Sequence, residues 1–142
     1  MSCVVPIFVL YFSSFPLFRS ILYNKSRENN QDMIENLHRV KQMGYDSKNA
    51  LESGHLDTFA EIMNTHWQYK KNRTGNMSNP QIDEWYEMAL KNGARGGKMI
   101  GAGGGGFLMF YCDDKRKLRE AMKDTGMEEV RFRFEMEGSR VL

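Results

Sequence analysis

Apolar residues form one dense run near the start of the chain, Cys3 to Phe18 (CVVPIFVLYFSSFPLF), and afterwards return at helical intervals. The run is rich in β-branched and aromatic residues, which predicts a buried strand over Val4 to Phe12 followed by a turn. No basic residue precedes it, Pro6 and Pro16 interrupt it, and Ser13 and Ser14 divide it. Its unbroken apolar span falls short of the roughly 20 residues that a bilayer needs, so a strand is read there in place of an export signal or membrane anchor.

From Asn29 to Ser53, the positions Met33, Leu37, Val40, Gly44, Ser47 and Leu51 recur at steps of four and three, predicting a long helix with these residues on one face. Gly54 breaks it. Leu56, Phe59, Ala60, Met63 and Trp67 predict a second helix that ends in the polar stretch Lys70 to Gly75. Ser78-Asn79-Pro80 is a start signal, because Ser or Asn caps exposed N–H groups and Pro is tolerated in the first helical turn. A third helix follows with Ile82, Trp85, Tyr86 and Ala89 inward, and Gly93 is placed to end it through a positive φ.

Two strands then flank a glycine loop: one through Lys98-Met99-Ile100, the other the apolar run Phe107 to Cys112. Asp113-Asp114 opens a basic helix with Leu118, Ala121 and Met122 on its inner face, closed by Gly126. Val130, Phe132, Phe134 and Met136 alternate with charged residues, the period-two pattern of a half-buried strand. The expected fold is α+β, in the order β-α-α-α-β-β-α-β. Its four-stranded, mainly antiparallel sheet carries the helices on one face.

The length of 142 residues suits one core, and 41% hydrophobic with 27% charged residues is a globular balance. A net charge of +2 gives no pull toward nucleic acid or an anionic membrane, so neither is expected as a partner. Cys3 and Cys112 both sit in apolar runs, where a thiol behaves as a small hydrophobe. A reducing cytoplasm is the simplest setting.

Gly101-Ala102-Gly103-Gly104-Gly105-Gly106 holds five glycines in six positions. Glycine loses the most backbone entropy on ordering, so such a loop is kept where other residues cannot serve. Two uses compete. Bare backbone can approach a phosphate or sugar closely and aim several N–H groups at it, or a tight strand connection simply needs positive φ. The string satisfies G-x-G-x-x-G, but a dinucleotide loop must open a helix, and Phe107 to Tyr111 reads as strand. No Gly-Lys-Ser/Thr triplet is present.

GGKMIGAGGGGFLMFYC (Gly96 to Cys112) resembles the third motif of the GHMP kinases. SNPQIDEWYEMALKNGA (Ser78 to Ala94) and RFEMEGSRVL (Arg133 to Leu142) are similar to the bacterial heptose-phosphate kinase branch of that family. The resemblance covers roughly residues 25 to 142; residues 1 to 24 match poorly, with Leu17 and Phe18 where the family has an Arg-containing turn. It implies the C-terminal lobe of a two-lobed enzyme that moves the γ-phosphoryl group of ATP, with Mg²⁺, to a sugar hydroxyl. For this branch the acceptor would be the anomeric hydroxyl of a heptose phosphate. Gly101, Ala102, Gly103, Gly104, Gly105 and Gly106 inherit the role of a loop lying against the phosphates and the acceptor. The family's ATP loop, of the type Pro-x-x-x-Gly-Leu-Gly-Ser-Ser, is absent, as are the segments bearing the catalytic Asp. The resemblance therefore implies a partner lobe and no catalytic residue or metal ligand in this chain, inactive alone. A non-catalytic small-molecule binding or regulatory module is the alternative, on fold analogy.

Lys98, just before the loop, is a possible phosphate contact; the competing reading is a solvent-facing lysine beside a strand. His38, His55 and His66 lack the spacing of a metal site and read as surface or boundary residues. Lys115, Arg116, Lys117, Arg119 and Lys123 form a basic face that could steer an anion or simply be solvated. Trp67, Trp85 and Tyr86 read as core, and no role follows for Arg140.

Overall fold

The periodic stretch after Asn29 forms helix α1, Gln31–Glu52, in the computed structural model, which describes residues 31–74, 78–100 and 106–130. Its inner stripe runs from buried Met33 through half-buried Asn36, Val40, Met43 and Ser47 to buried Ala50, rotated from the face expected from sequence. Leu37 and Leu51, expected inside, are 39% and 49% exposed. The reason is geometric: α1 packs mainly along the next helix, and one neighbour covers only a narrow stripe. Among the described residues α1 makes its main contacts with that helix and not with the strands.

Gly54 turns the chain at φ +73°, and α2 follows over Leu56–Thr74. Ala60, Met63 and Trp67 are buried on its inner side. The next helix, α3, spans Pro80–Lys91. Asn79 caps it by accepting from the Ile82 N–H at 2.9 Å, with Pro80 in the first turn. All four residues expected inward, Ile82, Trp85, Tyr86 and Ala89, are buried. Gly93 takes φ +102° and releases the chain into β1 (Ala94–Ile100).

β1 pairs antiparallel with β2 (Phe107–Cys112), from Ala94 opposite Cys112 to Ile100 opposite Phe107, with a bulge at Ala94/Gly96. Leu108, Phe110 and Cys112 are buried while Phe107, Met109 and Tyr111 are not, so β2 alternates despite its continuous apolar sequence. Asp114 then caps α4 (Lys115–Met122), accepting from the Arg116 and Lys117 N–H groups. A short 3-10 turn, Lys123–Thr125, ends at Gly126 with φ +75°. Among the described residues the architecture is α+β, with four α-helices and one two-stranded antiparallel sheet. The strands expected over Val4 to Phe12 and from Val130 to Met136 lie outside the described residues, apart from Val130, which is 42% exposed.

The core joins Trp67 of α2, the inner face of α3, Met99, Leu108, Phe110, Leu118 and Met122. Tyr86 stacks obliquely on Phe110 at 5.4 Å and on Trp67 at 6.2 Å. Each such aromatic pair adds about 0.5–1.5 kcal/mol beyond its buried area. Two glycines of β1 make the packing possible. A Cβ on Gly96 would lie 2.0 Å from the Ala60 carbonyl oxygen, and one on Gly97 would lie 2.4 Å from a Phe110 ring carbon. Helix α2 can therefore rest its backbone directly on the strand.

Gly96→Ala is expected to cost about 1–3 kcal/mol, the usual range for overpacking, whereas Gly44→Ala on the open face of α1, where nothing lies within 4 Å, should raise stability by about 0.5–1 kcal/mol. Urea unfolding of the two variants checks the contrast; equal shifts would contradict the direct contact of α2 with β1. Burial also pushes the Cys112 thiol up from 9.0 to about 11. The unfolded chain then loses this proton at lower pH than the folded chain, so stability holds below about pH 9 and falls as pH rises toward about 11. Cys112→Ala should flatten that part of the profile, measured as unfolding free energy between about pH 8 and pH 10.5.

Candidate functional site

The glycine loop joins the far ends of β1 and β2. Residues 101–105 lie outside the described residues, so the roles expected for Gly101, Ala102, Gly103, Gly104 and Gly105 find no test in the geometry. Gly106 is described: it takes φ +128°, a conformation that residues with a Cβ rarely adopt. Immediately beside it, Ile100 and Phe107 close the ladder, each 40% exposed. The loop therefore springs from a hairpin end with an accessible apolar rim.

Lys98 stands opposite Met109, three residues before Gly101. It is half-buried, and burial lowers its pKa. The shift has desolvation as its cause, with no carboxylate among the described residues offsetting it. A half-desolvated ammonium without an acidic neighbour is a place where an anion binds more favourably than a neutral group.

Helix α2 brings further groups to this end of the hairpin. The Lys70 ammonium donates to the Met99 carbonyl at 3.2 Å. The Tyr86 hydroxyl donates to the Gly97 carbonyl at 2.7 Å and lies 2.9 Å from Asn64 Oδ1. Burial raises the Tyr86 pKa strongly, so the hydroxyl keeps the proton it donates. Lys71 turns the other way, pairing with Asp83 at 3.2 Å, and Asp83 also accepts from the Ser78 hydroxyl at 2.9 Å. The buried indole N–H of Trp67 has no acceptor among the described residues, and Lys71 stands over its ring at 5.7 Å.

Sequence reasoning had placed Lys70 in a polar stretch and Tyr86 in the core without a polar role. The signals were present in both cases. Lys70 follows Trp67 by three residues, hence on the same helical face, and a buried tyrosine needs a partner for its hydroxyl. Gly96, read only as part of a motif, makes room for the backbone of α2, and Gly97 makes room for the Phe110 ring of β2.

The remaining residues singled out from sequence do not gather here. Lys115 is half-buried and Arg116, Lys117, Arg119 and Lys123 are exposed at the opposite end of the hairpin. That end is roughly 20 Å from the loop at about 3.3 Å per strand residue. An open hollow of about 460 Å³ there is lined by Asn92, Asp114, Arg116, Lys117, Glu120 and Ala121, with charges of both signs. Arg119 is engaged by Glu129 through two bonds of 2.8 and 2.5 Å. His38 and His55 are exposed and His66 is half-buried. Arg140 lies outside the described residues. Among those described, no three His, Cys, Asp or Glu side chains converge as a metal site would require, and no helix is long and apolar enough to cross a membrane.

The sequence of residues 47–126 matches the family model described as GHMP kinases C terminal. The D-glycero-alpha-D-manno-heptose 7-phosphate kinase of Campylobacter jejuni is 32% identical over 119 residues, covering 82% of this chain and 35% of the relative. This chain thus spans about a third of that protein's length. Among solved structures, one from Listeria innocua superposes with a TM-score of 0.77 at 15% identity, covering 94% of this chain and 40% of the other. The L. major mevalonate kinase in complex with R-mevalonate superposes with a TM-score of 0.66 at 15% identity, covering 89% of this chain and 41% of the other. At such identities these two likenesses bear on the fold. Family match, helical frame and glycine hairpin agree, and the chain belongs to the GHMP kinases, as a C-terminal domain of that family.

Proposed function

We propose that this chain is the C-terminal lobe of an ATP-dependent sugar kinase, acting with a second lobe that carries the ATP loop, and that the acceptor is the anomeric hydroxyl of a heptose phosphate. The observation that carries this reading is the 32% identity, over 82% of the chain, to a kinase whose name specifies a heptose 7-phosphate. The hairpin end supports it physically: a glycine loop, an accessible rim and a half-buried lysine suit a phosphorylated ligand better than a neutral one.

In the reaction the acceptor oxygen forms a bond to the γ-phosphorus of ATP, the bond from that phosphorus to the bridging oxygen breaks, and ADP leaves. The hydroxyl proton passes to a base, which in this reading sits on the other lobe. Phosphoryl transfer depends on placement and on balancing the charge of the phosphoryl oxygens. The backbone N–H groups of Gly101, Ala102, Gly103, Gly104, Gly105 and Gly106 would supply donors, and Lys98 a fixed positive charge. Mg²⁺, when bound, supplies further charge neutralisation. In this reading its protein ligands sit on the other lobe. ATP and a phosphorylated sugar as substrates place the enzyme in the cytoplasm in this reading.

The chain by itself should show no phosphoryl transfer, and mixing it with a lobe bearing the ATP loop should produce ADP in the presence of heptose phosphate and Mg-ATP. Tight binding of either ligand by the isolated chain, with no activity gained on mixing, would favour the non-catalytic module instead. In the complete enzyme, Gly104→Val should lower kcat by about a hundredfold or more, the scale of losing one donor aimed at developing charge, with little change in melting temperature. An unchanged kcat in the folded variant would remove the loop from the mechanism.

A further inference from the structure

We draw no further inference here: the strongest candidate, the exposed apolar face of α1 that carries Leu37 and Leu51 on either side of Gly44, carries nothing because nothing in the structure shows what covers it.

Discussion

The main chain of α2 touches the main chain of β1, and the rest of the described structure is arranged around that contact. Gly96 permits it, because any side chain there would occupy the space of the Ala60 carbonyl. Once the helix sits this close, Trp67 reaches the core beneath Met99, and Asn64 and Lys70 come within hydrogen-bonding distance of Tyr86 and β1. A helix held further out by a single methyl group would lose these polar contacts together, since hydrogen bonds weaken steeply beyond about 3.2 Å. The spacing is therefore both a packing constraint and the means by which helix side chains reach the strand.

That arrangement separates two kinds of glycine within one short motif. Gly96 and Gly97 lie in regular strand backbone and are small because neighbours press on them. Gly106 lies at the mouth of the loop with a positive φ, where the requirement is conformational. Substitutions in the two groups act on different quantities, the first on the stability of the domain and the second on the path of the loop.

Electrostatics at the two ends of the hairpin also differ. The end nearer α4 carries exposed residues of both signs, many of them paired, as between Arg95 and Asp113 at 2.7 Å and between Arg119 and Glu129. Such pairs are screened by water and contribute little net field. At the loop end the cation Lys98 is partly desolvated, and desolvation strengthens its interaction with whatever anion approaches. Behind a modest overall charge of +2, the two ends of the hairpin therefore differ electrostatically among the described residues.

The local elements were legible in the order of residues alone. Asn79 and Asp114 cap helices, Gly54, Gly93 and Gly126 take positive φ, and the inner residues of α3, with Leu118 and Met122 of α4 but not half-buried Ala121, follow from periodicity, because these features depend on neighbours within a turn or two. That order also carried the family, through the loop and its flanks. Tertiary structure decided the rest. Which stripe of α1 is buried depends on a single neighbouring helix, so Leu37 and Leu51 were misplaced by periodicity alone. Only the folded chain shows that Gly96 and Gly97 are contact points, that the basic face of α4 lies away from the loop, and that Lys70 meets a carbonyl 29 positions away. Those facts arise from the meeting of elements distant in sequence, and no local pattern encodes the distance at which two backbones come to rest.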